Sequence, residues 1–244
     1  MLNQYLTQTA QLLQNPAAPT TLYSTATLTQ FINTARGQLA AESECIRLYT
    51  SQTLTIGARV FPFSGFTIPA GQGIQSPIKV NTLWYSVATG QKWITPRSFE
   101  WFSLYSLNHP VPASGQPARW AQYGQGVSGT IYIDPLPDAA YLVFADTVCY
   151  PIPLASDTDV EAIPYLWTDA VPYFAAYLAL LSSQGSARMQ DAQRMFQLYE
   201  EFTNRARRFA TPGLLPGNYP QNADPTMSAQ LGQLAMARGR PGAA

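Results

Sequence analysis

The chain has 244 residues, with 14 Lys and Arg against 14 Asp and Glu, one His and two Cys; 11% of residues are charged and 46% hydrophobic. At this length one or two domains are expected, with a core that needs no covalent staples. A net charge of zero argues against a duplex-binding module, since neutralising phosphates takes a basic face. The longest charge-free apolar stretch, Val171–Leu181, falls short of the ~20 residues a membrane-spanning helix requires.

Soluble domains carry about 25% charged residues. This surface is therefore left largely to Gln, Ser, Thr, Asn, Tyr and Pro, and it repels neighbours poorly. Met1–Gln14 has neither a basic flank nor a continuous apolar run, so no signal or transit peptide is expected and a cytoplasm is the default compartment. Cys45 and Cys149 are too few for a disulfide scaffold and match no zinc spacing, and both are read as reduced thiols.

Residues 1–44 read as helical. Leu2, Leu6 and Leu13 form a short stripe before the breaker Asn15-Pro16-Ala17-Ala18-Pro19. A second helix, capped by Thr27 or Thr29, carries Leu28, Phe31, Ile32, Ala35, Leu39 and Ala40 at helical spacing and should end at Glu42–Glu44. Residues 45–155 switch to β-prone runs at Thr53–Ile56, Ile78–Tyr85, Phe99–Leu104, Thr130–Ile133 and Leu142–Tyr150, separated by Gly and Pro. They predict an all-β unit, sandwich-like or barrel-like, whose outer face is partly aromatic. Its entry and exit carry Cys45 and Cys149, which should lie near one another because an inserted unit has adjacent ends.

Helix returns in residues 156–210. The acids Asp157, Asp159 and Glu161 read as helix-start residues. Pro164 suits a first turn, and Pro172 either opens a segment capped by Asp169 or kinks the helix. Ser186–Ala210 places Met189, Ala192, Met195, Phe196, Tyr199, Phe202, Ala206 and Phe209 on one face. Arg205, Arg207 and Arg208 close that helix and complement its dipole. Residues 211–244 hold five prolines and several glycines, and cannot build a core alone. Met227, Leu231 and Leu234 form a short stripe on this arm that suggests docking onto a partner. The fold class is thus α+β: a helical bundle from the N- and C-terminal helices, an inserted all-β domain and an extended C-terminal arm.

Charge is segregated. Between Trp120 and Ala187 there are seven acids and no Lys or Arg, whereas beyond Ala187 seven Arg face four acids. In a ring of identical subunits such patches can meet head to tail.

Catalytic constellations are absent from the sequence. His109 sits in Asn108-His109-Pro110-Val111-Pro112 without a local acid or nucleophile, and no nucleophile elbow or Walker lysine occurs. Gly124-Gln125-Gly126-Val127-Ser128-Gly129 matches Gly-x-Gly-x-x-Gly, but a β-prone run follows it where a helix is needed, so it reads as a loop. Asp134, Asp138 and Asp146 are ordinary turn acids rather than a glycosidic pair, and Asp157, Asp159 and Glu161 lack the Gly and distant Glu of a calcium loop. No catalytic residue, metal or cofactor is expected. Phe99, Trp101 and Tyr105 make an aromatic patch that could stack sugars or bases.

With helix pair, β insertion, helix pair and Pro-rich arm in this order, the chain resembles the head-to-tail connector (adaptor) proteins of tailed bacteriophages. The resemblance is carried by Leu28-Thr29-Gln30-Phe31-Ile32-Asn33-Thr34-Ala35-Arg36, by Ile131-Tyr132-Ile133-Asp134-Pro135-Leu136-Pro137 and by Ile163-Pro164-Tyr165, over about residues 25–210. The β region is longer than in the smallest members, and the arm is extra. The resemblance implies a non-catalytic virion protein assembled in the host cytoplasm. It would form a homo-oligomeric, typically dodecameric, ring beneath the portal protein and carry a tail or nozzle protein. DNA would pass through the bore without sequence-specific binding, and no membrane is involved. Candidate subunit and portal contacts are Arg205, Arg207, Arg208, Pro212, Leu214, Leu215, Tyr219, Met227, Leu231 and Leu234; candidate tail-facing residues are Trp101, Tyr105 and His109. The alternative is a glycan- or receptor-binding module using the aromatic β domain, and an enzyme built on His109 is a third reading.

Overall fold

The computed structural model describes residues 1–15, 22–88, 90–106, 113–183 and 186–210. Helix α1 spans Leu2–Leu12 and buries Leu2, Tyr5 and Thr9. Tyr5 therefore takes the centre of the stripe that the leucines alone suggested. Helix α2 spans Thr25–Ser43, and its cap is Ser24 rather than Thr27 or Thr29. Ser24 has extended backbone, and its Oγ accepts the Thr27 N–H at 3.1 Å, satisfying one of the helix's orphan donors. The helix stops at Glu44, whose left-handed conformation turns the chain out.

Helix α4, Ala170–Ser182, starts late enough that Pro172 falls in its first turn, where a missing N–H costs nothing. Pro172 thus opens a segment and makes no kink, and the Asp169 side chain does not cap it. Ala170, Ala175, Ala176 and Ala179 are fully buried, and α4 packs against α1, α2 and helix α5, Ser186–Ala210. Small side chains on α4 let its neighbours approach while Phe174 fills the gap against Tyr199, ring centroids 4.6 Å apart. Along α5 the expected apolar face holds in its middle: Ala192, Tyr199 and Ala206 are buried. Met189 and Phe209 are exposed instead.

The strands form one seven-stranded mixed sheet that curls into a half-barrel. They are β1 (Arg47–Leu54), β2 (Val60–Pro62), β3 (Ile74–Val87), β4 (Gly90–Pro96), β6 (Arg119–Tyr123), β7 (Thr130–Asp134) and β9 (Tyr141–Pro151), in the order β1-β9-β3-β4-β6-β7-β2. All neighbours are antiparallel except β4 and β6. Two short strands, β5 (Ser114–Gly115) and β8 (Leu136–Pro137), pair separately. After β2 the chain returns to the opposite edge, where Thr67 bridges Ser51 of β1. Phe61, Phe63, Leu83, Tyr85, Ile131, Ile133 and Val143 fill the inside of the curl. Each such side chain contributes roughly 1.5–3 kcal/mol on full burial.

One expected strand is not a strand. Phe99–Trp101 is a helical turn (α3) that continues as a π-turn, Phe102–Ser106. Ser98 starts it by accepting the Trp101 N–H on its Oγ at 3.3 Å, a local cap that outcompetes β pairing. The Gly-x-Gly-x-x-Gly run is the β6–β7 hairpin loop. Gly124 and Gly126 have positive φ, and a Cβ on Gly129 would sit 2.5 Å from the Phe63 ring. All three glycines are thus needed by the turn itself.

The two ends of the sheet region are adjacent, as expected: β1 pairs with β9, and the Cys149 N–H donates to the Ile46 carbonyl at 2.9 Å. Both cysteines are free thiols, and burial pushes both of their pKa values up.

Candidate functional site

Three regions carry the polar chemistry and exposed apolar area singled out among the described residues. The first is the C-terminal end of α5. Its last turn carries Arg207 and Arg208. Arg207 Nε donates to the Glu42 carbonyl at 2.8 Å, closing the C-terminal end of α2. Nearby, the Tyr199 hydroxyl donates to Glu42 Oε2 at 2.9 Å, and the Tyr199 pKa is raised, chiefly by burial. Arg205 lies over the Phe202 ring, 5.8 Å from its centroid, and keeps 64% of its side chain in solvent. Arg208 is exposed. So Arg205 and Arg208 face outward, while Arg207 ties two helices together. Beside them lie the most exposed large apolar side chains among the described residues: Phe209 at 81%, Tyr165 at 80% and Leu166 at 74%. The Trp167 ring lies tilted against that of Phe209, centroids 5.8 Å apart.

The second surface is aromatic, and it has two parts. Trp101 is half-buried, with Tyr105 beside it at 5.7 Å. Arg119 and Arg97 lie 5.2 and 5.9 Å from the Trp101 ring centroid, and Arg119 also pairs with Asp134 at 3.2 Å. Guanidinium groups are attracted to the indole face at such distances. His109 lies outside the described residues, as do Pro212, Leu214, Leu215, Tyr219, Met227, Leu231 and Leu234.

The other part was not singled out residue by residue in the sequence. On the outer face of the half-barrel, register sets Phe144 of β9 opposite Trp84 of β3, and Trp84 opposite Trp93 of β4. Tyr49 of β1 completes the row, 5.4 Å from Phe144 and 5.3 Å from Trp84; Trp84 and Trp93 are 4.8 Å apart. Tyr49 is 58% and Trp93 41% exposed, with Trp84 nearly buried between them. Cross-strand aromatic pairs of this kind stabilise the sheet by roughly 0.2–1 kcal/mol each, yet they leave an apolar ridge whose two ends, Tyr49 and Trp93, stand in solvent. Aromatic residues in the β-prone runs Leu83-Trp84-Tyr85 and Leu142-Val143-Phe144 carry the signal, but only strand pairing aligns them.

The third is a buried polar lock. Arg36 of α2 is fully buried, and Glu161 is 8% exposed. Arg36 donates to Glu161 from Nε at 3.0 and 3.2 Å and from Nη2 at 2.8 Å, and from Nη1 to the Ile152 carbonyl at 2.7 Å and Asn33 Oδ1 at 3.2 Å. Asn33 in turn bonds both the N–H and the carbonyl of Leu154. Burial, with Glu161 next, raises the Tyr5 pKa. Of the neighbouring acids, Asp159 is a local turn acceptor and Asp157 closes the N-terminal end of α1; neither starts a helix in its own segment. Asp159 accepts the Ala155 and Ser156 N–H groups, and Asp157 accepts the Met1 amino group and the Asn3 N–H. Each carboxyl pKa is lowered by those hydrogen bonds. A cavity of about 420 Å³ lies alongside, lined by Cys45, Arg47, Gly71, Gln72, Ile74 and Glu161 among others.

Among the described residues no three His, Cys, Asp or Glu side chains converge as metal ligands, and no helix is long and apolar enough to cross a membrane. No protein-family model matches the sequence, and no curated protein does. Among solved structures, a chain from one described as the neck of an empty GTA particle computed with C6 symmetry is similar. It is 14% identical, with a TM-score of 0.26, over 78% of this chain and 87% of that one. An overlap that loose carries no argument about function.

Proposed function

We propose that this chain is a non-catalytic structural component of a tailed-phage-type virion, in which copies form a ring that adapts a head to a tail. In this reading the helices form the bundle that packs ring neighbours and a portal protein, and the β region faces a tail or nozzle protein. The observation that carries the assembly part is the apolar surface at the end of α5, where Phe209, Tyr165 and Leu166 are each about three-quarters or more exposed. Contiguous apolar exposure of this kind marks an interface. Weak surface charge removes the repulsion that keeps copies apart, and the acidic middle and basic end give head-to-tail neighbours opposite signs to match. The adaptor role itself rests on the order of elements and the three sequence runs that resemble connector proteins.

Native mass spectrometry of the purified full-length chain tests this directly. A closed oligomer of one defined mass is expected, and Leu166→Asp with Phe209→Asp should shift it to monomer without loss of helical circular dichroism. A wild-type chain that stays monomeric at tens of micromolar removes the ring from the reading. The glycan-binding alternative draws on Tyr105, 64% exposed beside Trp101. It predicts glycan-array binding that is lost in Trp101→Ala by a chain that stays monomeric.

A further inference from the structure

The described chain ends at Ala210, and its carbonyl is held by Arg47 Nη1 at 2.6 Å. Arg47 also pairs with Asp146, which sits directly across from Tyr49 in the β1–β9 register. Arg47 and Tyr49 lie two residues apart on one strand and share its outer face. The end of α5 is therefore fixed at the edge of the Tyr49–Phe144–Trp84–Trp93 ridge. The sequence continues from there as Thr211-Pro212-Gly213-Leu214-Leu215-Pro216-Gly217-Asn218-Tyr219-Pro220.

We propose that the aromatic ridge is the receptor for the proline-rich segment 212–220 of a second copy of this chain. The proposal rests on the oligomeric reading above and deepens it by naming the surface that receives the arm. Aromatic-lined surfaces bind proline-rich chains because these are extended in advance, lose little entropy on docking, and lay flat rings against flat rings. The ridge crosses four strands, so its length is about 14 Å at ~4.8 Å per strand step. Nine residues can reach about 28 Å at ~3.1 Å each in a polyproline conformation, enough to cover the ridge and leave several residues to cross an interface. The segment also offers what exposed Tyr49 and Trp93 lack: Leu214, Leu215 and Tyr219 to cover them, and no charge to desolvate. Each copy carries one donor segment and one receiving ridge, which is what an exchange running from copy to copy round a closed ring requires.

The test uses full-length chains. A photo-cross-linking phenylalanine analogue replaces Tyr219, and light and ¹⁵N-labelled proteins are mixed, allowed to exchange subunits, irradiated and digested. The expected result is a light–heavy cross-link between position 219 and a peptide holding Trp84, Trp93 or Phe144. Its yield should fall about tenfold or more, as loss of a central anchor does, in Tyr49→Ala with Trp93→Ala on the receiving copy. It should fall similarly in Leu214→Ser with Leu215→Ser on the donating copy. Cross-links confined to one isotope overturn docking on a second copy and assign the ridge to the chain's own arm. Cross-links that miss the ridge, or a yield unmoved by both pairs of substitutions, overturn the ridge as receptor. Native mass of the same samples is read in parallel: an intact ring with no ridge cross-link sinks this proposal alone, whereas a monomer sinks the ring reading first.

Discussion

Replacing Arg36 by Met tests how the helices are joined to the sheet. The guanidinium is fully buried and makes five hydrogen bonds: three to Glu161 and one each to Asn33 and the Ile152 carbonyl. Burying both charges is repaid only because each is matched, so removing one partner leaves the other desolvated and alone, at a cost of about 3–5 kcal/mol. Arg36→Met is expected to lose that much in urea unfolding followed by circular dichroism, and Glu161→Gln nearly as much. Arg36→Lys should also fail, because an ammonium cannot reach Glu161 bidentately while bonding Ile152. The double variant Arg36→Met with Glu161→Leu should recover to within about 1–2 kcal/mol of wild type, since apolar replacements of a buried pair are often neutral. A loss below about 1 kcal/mol for the single variants would mean that water reaches the pair as it does exposed ones, and the reasoning would be wrong.

The same geometry gives three more expected outcomes. The Asp157 and Asp159 pKa values are lowered by hydrogen bonds, so their stabilisation is present above the ordinary Asp value of about 3.9 and is lost as pH falls through the lower, folded values. Hydrogen exchange at the Ala155 and Ser156 amides, which Asp159 holds, should therefore accelerate beyond the intrinsic rate as pH falls below the ordinary Asp range; protection at neutral pH that Asp159→Ala leaves unchanged contradicts it. Gly73 has a φ of +66°, and a Cβ there would lie 2.3 Å from the Val160 carbonyl oxygen. Gly73→Ala should cost about 1–3 kcal/mol, and a neutral effect in thermal melts would show that the turn and the acidic segment are not held together. The Tyr141 pKa is pushed up to about 12, mainly by its hydrogen bond to Asp138. Ultraviolet titration should show that late phenol, and Asp138→Asn should bring it back toward the ordinary value of about 10; a late phenol that persists rules out Asp138 as the cause.

How far the sequence spoke for itself depended on whether a signal was local. The middle of α5 is readable from its helical period, and the runs at Ile78–Tyr85 and Leu142–Tyr150 from β-branched and aromatic residues between turn signals. Strands β2, β4 and β6 were not, since Val60–Pro62, Gly90–Pro96 and Arg119–Tyr123 are short or contain Pro, Gly and charge, and form only against neighbours already in place. Phe99–Leu104 misled because its aromatics mimic alternation, while one Ser98 hydroxyl decides the conformation. Of the candidate site residues, Arg205 and Arg208 face solvent as an interface needs, but the use of Arg207 on the Glu42 carbonyl depends on two helix ends meeting, 165 residues apart in sequence.

The Arg36–Glu161 lock is likewise not a local signal, and its neighbours Asp157 and Asp159 do not start a helix as their position suggests. Asp157, Asp159 and Glu161 look alike as a run of acids, and nothing in their spacing separates a partner for the start of α1, a turn acceptor and a buried counter-ion. What separates them is Arg36, which stands among Ile32, Ala35 and Leu39 on the buried face of α2. A cation at an apolar helical position must find an anion of its own, and the only stretch of this chain rich in acids and free of Lys and Arg lies between Trp120 and Ala187. The charge segregation that suggests contacts between copies thus has one use within a copy: it supplies the partner that fixes the acidic segment against α2 and the end of β9. A net charge of zero reflects pairing at least there, while Arg205 and Arg208 stay at the surface of α5, Arg205 within 4.0 Å of Glu201.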